Sequence, residues 1–234
     1  METRQEKLID GSLYTIELNT SELISHFNNP NNCTKEILHQ FNELAWYSEY
    51  LTADDRIILD LGGNIGLFAI HVTPWADRII TVEPTPSHII LNEQLTSKFS
   101  NIERLQAAIS NETGKIPFFT FPSNTTMNSL INRGGDYFMV DSITIPDLIN
   151  KLNLTRVDFI KLDIEGSETI ALNDDIIKSF SDKVAKILIE FHEVNGIGYT
   201  QQREMFEQIF IKYGYDIKHF GPDGLYCFKQ LNIN

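Results

Sequence analysis

Residues 57–68, IILDLGGNIGLF, change character halfway along, and no other stretch of the chain limits its fold as much. Ile57, Ile58 and Leu59 form an apolar, largely β-branched run, the content of a strand buried on both faces in a parallel sheet. Asp60 follows, and the glycines after it let the backbone turn tightly and come close to a ligand. Ile65, Leu67 and Phe68 then restart an apolar pattern at helical spacing. Strand, glycine loop and helix in that order make a nucleotide-binding turn, with a strand over residues 57–60 and a helix over residues 65–73.

Several glycine loops share this outline, and the residues separate them. A dinucleotide fingerprint requires glycine at 62, 64 and 67, where Asn64 and Leu67 occupy the last two places. A phosphate-cradling loop requires Gly-Lys-Ser/Thr, a tripeptide the chain lacks. What remains is Asp60-x-Gly62-x-Asn64-x-Gly66. An acid beside the loop repels a pyrophosphate and attracts an ammonium, so the ligand is expected to carry no phosphate and S-adenosylmethionine suits it. A second acid agrees. The run RIITV at residues 78–82 reads as the next strand and ends at Glu83-Pro84, about twenty residues past the glycines, where an acid accepts hydrogen bonds from ribose hydroxyls. Pro84 ends the strand pairing.

Strand and helix then keep alternating, with a helix over residues 86–99 and a third strand over residues 102–109, the signature of a parallel sheet with helices on both faces. The third strand ends in Ala107, Ala108 and Ile109, small residues and one apolar that offer a flat slot for adenine or a plain strand end. Residues 115–120, the polar loop at 123–129 and residues 141–145 read as an inserted antiparallel excursion, which places Asn128 and Ser129 over the ligand or at the surface. Pro146 opens the next helix. A helix at 200–212 turns Met205, Phe206, Ile209 and Phe210 inward, and two strands joined by the Gly221-Pro222-Asp223-Gly224 turn close the chain as a hairpin. Before the first strand, residues 13–18 read as a strand, residues 28–32 as a link, and Thr34 as the cap of a helix ending near Leu51, with Glu49 and Tyr50 able to close over the ligand. The expected division is an N-terminal extension or cap over residues 1–45 and a single α/β domain over 46–234.

Residues 158–166 hold the second concentration of chemistry. Lys161, Asp163 and Glu165 fall on one face of a strand that is otherwise apolar, which points to function, or to a Lys161–Asp163 ion pair. Glu168 falls in the first turn of the following helix. The strand at residues 184–189 also ends in ionisable residues, and Glu190 and His192 point to the same side. His192 sits at the edge where open α/β sheets bind ligands, and a neutral imidazole there can take a hydroxyl proton near pH 7. A divalent ion on Asp163, Glu165 and His192 is compatible with such oxygen-rich donors, but no metal is assigned.

The net charge of −13 argues against a nucleic-acid partner, since phosphate binding needs basic surface. Cys33 and Cys227 lie far apart, which argues against cysteine redox or metal work. No run suits a signal peptide or a membrane span, and a cytoplasmic protein without membrane contact is expected.

Taken together, DLGGNIG at residues 60–66, VEP at 82–84, KLDIEGSE at 161–168 and IEFH at 189–192 resemble the FkbM-type family of S-adenosylmethionine-dependent methyltransferases, over residues 45–228. The resemblance implies the class I methyltransferase fold, a seven-stranded, mostly parallel Rossmann-like sheet with a C-terminal antiparallel hairpin, and methylation of hydroxyls on sugars, glycans or secondary metabolites. It also implies that Asp60, Gly62, Asn64 and Gly66 line the methionine and ribose side, that Glu83 and Pro84 hold the ribose end, and that Asp163 meets the sulfonium end. The adenine slot adds Ala108 and Ile109, and the expected catalytic set is Asp163 or His192 as base with Lys161 and Glu190 orienting them. Gly63, Thr85 and Ser167 depart from the family's usual Ala, Asn and Ala. Methylation of nitrogen on a peptide or amine, and cofactor binding without turnover, are the alternatives. A nicotinamide-dependent oxidoreductase is disfavoured by the missing glycines.

Overall fold

The computed structural model describes residues 2–18, 44, 46–121, 125–194 and 196–231. The expected link at 28–32, Cys33, and the expected helix start at Thr34 lie outside the described residues.

Seven strands build the main sheet: β3 (Ile57–Leu61), β4 (Arg78–Val82), β5 (Ile102–Leu105), β9 (Val157–Leu162), β10 (Val184–Glu190), β11 (Asp216–Phe220) and β12 (Gly224–Phe228). Their order across the sheet is β11-β12-β10-β9-β3-β4-β5. β5, β4, β3, β9 and β10 are mutually parallel, while β12 pairs antiparallel with both β10 and β11. The chain steps outward from β3 to β5, then returns to place β9 on the other side of β3. Such a reversal opens a crevice at the strands' carboxyl ends, where ligands bind.

The period of two along each strand sorts the core into two layers. Leu59, Leu61, Ile80, Val82, Ile160 and Leu162 face one layer, with Leu148 of α3 (Ile145–Lys151), Ala171 of α4 (Glu168–Ala171), Ile177 and Phe180 of α5 (Asp174–Phe180), and Phe206 and Phe210 of α6 (Tyr199–Lys212). Ile58, Ile79, Phe159 and Leu188 face the other, against α1 (Leu67–Val72) and α2 (Pro86–Thr96). Side-chain caps fix two of the helix starts: Thr144 accepts from Asp147 N at the start of α3, and Asn173 from Ile176 N at the start of α5.

An N-terminal hairpin, β1 (Glu2–Lys7) and β2 (Leu13–Leu18), lies against the second layer: Ile9 N donates to His71 O at 3.1 Å, and the Tyr14 and Phe99 rings are 5.1 Å apart. The excursion is a separate three-stranded sheet of β6 (Ala108–Ile109), β7 (Gly114–Phe119) and β8 (Tyr137–Ile143), in the order β6-β8-β7.

Three expectations are corrected. The third strand stops at Leu105, and Ala108 and Ile109 pair instead with Ser142 and Ile143. The charged strand stops at Leu162, so Glu165 reaches the crevice from the loop beyond it. Met205 is 50% exposed on α6, whose buried stripe is Gln202, Phe206 and Phe210, because positions four apart share the face that meets the sheet.

Candidate active site

A polar row crosses the second face of the sheet one step below its edge. Asp60 in β3 stands beside Thr81 in β4 and Lys161 in β9, and Lys161 stands beside Leu188 in β10. Asp60 is wholly buried, and neither carboxylate oxygen is in a well-formed hydrogen bond among the described residues, although the Thr81 hydroxyl is near enough to pull its pKa down. Burial pushes its pKa up to about 6, against the pull of Lys161, whose Nζ lies 3.9 Å away. A buried acid in a crevice with no well-formed hydrogen bond is an acceptor waiting for a donor.

The glycine loop lies over this row. Gly62 N and Gly63 N both donate to Val82 O at 3.0 Å, which pins the loop to β4. Gly62 has φ +84, and a Cβ there would come within 1.7 Å of Asp163 O, so the loop touches the end of β9 in a way only glycine permits. Gly66 serves helix packing instead. It does not line the crevice, and a Cβ there would meet Thr96 and Asn92 of α2 at 2.7 and 2.9 Å. Asn64 adopts φ 46 and leaves its Oδ1 buried without a partner among the described residues.

Glu83 follows β4 and is held on both oxygens. Oε2 accepts from Asn64 N at 3.0 Å and Oε1 from Thr85 N at 2.8 Å, with His88 Nδ1 3.6 Å from Oε1. Burial alone would raise its pKa, but His88 and the Thr85 N–H overcome that and leave it below the ordinary carboxylate value.

Asp163, Glu165, Glu190 and His192 stand at the other end, over β9 and β10. Lys161 Nζ donates to Asp163 Oδ2 at 3.0 Å and lies 5.4 Å above the Tyr47 ring, whose hydroxyl donates to Glu190 at 3.0 Å. Burial would lower the Lys161 pKa and raise that of Asp163, but their mutual charge wins, so both stay ionised. Glu165 has φ 56, a left-handed conformation unfavourable for this residue, and burial lifts its pKa to about 8. His192 Nε2 lies 3.8 Å from Asp163 Oδ1 and 3.6 Å from Glu165 Oε2, and Nδ1 lies 3.3 Å from Glu168 Oε1. Burial would lower the His192 pKa, but Glu168, Glu165 and Asp163 raise it to about 10. These acidic neighbours favour the imidazolium over the neutral imidazole expected near pH 7.

One crevice brings together Asp60, Gly62, Asn64, Glu83, Pro84, Ala108, Ile109, Lys161, Asp163, Glu190 and His192. The excursion forms its wall through Phe118, Thr126, Asn128 and Leu130, and is tied down where Leu130 N donates to Ser167 Oγ at 3.0 Å. Ser129 is turned to its own loop, its Oγ accepting from Ile131 N at 2.9 Å. Glu49 is exposed and Tyr50 packs on Phe220 and Tyr226, so neither closes over the crevice; Leu44 and Tyr47 line it instead. Sequence reasoning missed Tyr47, His88 and Gln202. Gln202 is buried on α6 and its Nε2 donates to His192 O at 2.7 Å, a placement that only a buried amide on an apolar helix face could have signalled.

A doubly wound sheet whose glycine loop and two flanking acids meet at the strand reversal defines a class I, S-adenosylmethionine-dependent methyltransferase domain. The residues fit that cofactor: the buried carboxylate of Asp60 and the unpaired Oδ1 of Asn64 both line the crevice, beside the glycine loop. The family model "Methyltransferase FkbM domain" matches residues 60–217, and the chain belongs to that family.

The chain is 25% identical over 197 residues to methyltransferase sdnD of Sordaria araneosa, covering 68% of this chain and 73% of that protein. It is 20% identical over 208 residues to the AMB antimetabolite synthetase AmbE of Pseudomonas aeruginosa, covering 70% of this chain and 10% of that one. The crystal structure of methyltransferase FkbM from Methylobacillus flagellatus KT is similar in fold, with a TM-score of 0.50 and 20% identity over 75% of this chain. This chain spans 44% of the length of that structure. Among the described residues no helix is long and apolar enough to cross a membrane.

Proposed function

We propose that the chain methylates a hydroxyl oxygen of a small molecule, a sugar, glycan or secondary metabolite. The observation that carries this reading is Asp163, an ionised carboxylate fixed by Lys161 at 3.0 Å at the far end of the crevice from Glu83. A neutral hydroxyl must lose a proton as it is methylated, and a fixed carboxylate at the reacting end answers that need. Bound S-adenosylmethionine supplies an electrophilic methyl carbon, whose bond to sulfur breaks as the acceptor oxygen bonds to it. The chain's residues bind and orient. Glu83 holds the ribose hydroxyls with the lone pairs its two backbone partners leave, and Asp60 draws the ligand's positive charge to the loop. Asp163 accepts the hydroxyl proton; Lys161 holds Asp163 in place, backed by Glu190 and Tyr47. An acceptor without phosphates agrees with the charge of −13.

Two measurements test this. Glu83→Gln should weaken S-adenosylhomocysteine binding by about tenfold in calorimetry, the worth of one charged hydrogen bond; unchanged affinity refutes the ribose assignment. Methyl-labelled donor offered with a panel of sugars, polyols and amines should yield an O-methyl product in wild type and none with Asp163→Asn. Label found on nitrogen, or turnover indifferent to Asp163, refutes the hydroxyl reading.

A further inference from the structure

We propose that Asp163, Glu165 and His192 bind a first-row divalent cation, of the Mn²⁺ or Zn²⁺ type, at the acceptor end of the crevice. One donor atom of each lies within 4.8 Å of the other two. His192 Nε2 stands 3.8 Å from Asp163 Oδ1 and 3.6 Å from Glu165 Oε2. Ligand atoms about 2.1 Å from a shared ion stand roughly 3 to 4 Å from one another, so small side-chain adjustments close the set.

The surroundings are those of a metal ligand shell. Lys161 engages Asp163 through Oδ2 and leaves Oδ1 toward His192. Behind the imidazole, Glu168 is wholly buried, with Oε1 accepting from Ile164 N and Gly166 N and lying 3.3 Å from His192 Nδ1. Nδ1 makes no hydrogen bond among the described residues, and a small turn of the ring toward Glu168 gives it the carboxylate that usually supports a metal-bound histidine. Glu168 Oε2 is buried without a hydrogen-bond partner among the described residues, so this corner holds more negative charge than its hydrogen bonds satisfy. Asp60, Glu83, Asp163, Glu165 and Glu190 all line the crevice, against Lys161, His88 and His192. The chain also keeps Glu165 at φ 56, a left-handed conformation that a plain turn does not ask of a glutamate. One imidazole with two carboxylates favours a first-row ion over Ca²⁺.

The cation's role, though not its binding, rests on the hydroxyl-acceptor reading. A carboxylate is a weak base toward an alcohol. A hydroxyl oxygen on a divalent ion would lose its proton far more readily, and Asp163 Oδ2, the oxygen turned from the ion toward Lys161, would take it.

The test uses Mn²⁺ alone, titrated into the metal-stripped full chain without methyl donor or acceptor. Calorimetry should find one ion per chain, with binding at least about tenfold weaker in His192→Ala and Glu165→Gln. Glu207→Gln, at the surface ion pair with His219, should bind as wild type does. Pulsed electron paramagnetic resonance of the wild-type complex should report one imidazole nitrogen, a reading that stands even where a variant does not fold. Absence of saturable binding, retention by both site variants, or a spectrum without nitrogen coupling overturns the proposal. Stripped protein that still methylates an oxygen at the full rate overturns the cation's role in the reaction while sparing the hydroxyl reading.

Discussion

Asp60 and Glu165 are the residues at which the fold works against itself. Asp60 is buried without a well-formed hydrogen bond among the described residues, and its raised pKa has a defined consequence. A carboxyl whose pKa is raised by folding contributes stability that is complete below its unfolded value, near 3.8, and lost as pH climbs through about 6. Asp60→Asn should therefore gain thermal stability relative to wild type at pH 7 and little at pH 4, while binding S-adenosylhomocysteine more weakly. Equal melting differences at both pH values would show that Asp60 ionisation carries no such cost. Glu165 joins a left-handed backbone to a half-buried carboxyl whose pKa is raised. Glu165→Gly removes both burdens, worth about 1 kcal/mol or more, and should raise the melting temperature by roughly 2–4 °C per kcal/mol while lowering turnover. A melting temperature that falls would mark Glu165 as a structural residue.

At the scale of elements, the loop between β3 and α1 is shaped by its neighbours as much as by its own glycines. A Cβ on Gly63 would stand 1.8 Å from Thr81 Oγ1, so the glycine that departs from the family's usual alanine answers the threonine on β4. Gly63→Ala should destabilise the chain by about 1–3 kcal/mol, and Thr81→Ala should relieve much of it, with a coupling energy of about 1 kcal/mol or more in a double-mutant cycle. Additive effects would separate the two positions. On α6, Gln202→Leu strips the donor from His192 O and Ile197 O and should cost about 1–3 kcal/mol. The elements themselves are legible where pattern and pairing agree: apolar runs ending in Asp60, Glu83 and Glu190 read as buried strands, and Pro146 marks a helix start. Ala108–Ile109 is not legible, because a dipeptide carries no periodicity and its partner β8 lies more than thirty residues on. Nor is the role of Gly66, because helix–helix contact and ligand contact make the same demand for glycine.

Across the whole molecule, the order of the strands gathers the charges. The reversal beside β3 sets the ends of β3, β4, β9 and β10 around one crevice, so acids more than a hundred residues apart in sequence converge. The sequence disclosed which residues stand at those ends, because charges in apolar runs need a reason. It did not disclose that His192 would be ringed by Glu168, Glu165 and Asp163, since that depends on where three segments meet. Nor did it disclose Tyr47 behind Lys161, a contact made by a segment ahead of the first strand of the sheet. The central claim is that Asp60 and Glu83 hold one adenosyl ligand between them. The most direct measurement is a crystal structure with S-adenosylhomocysteine bound. The ribose hydroxyls are expected on Glu83 and the charged amino-acid end on the Asp60 side of the glycine loop; a ligand lodged elsewhere, or with its ribose away from Glu83, would contradict it.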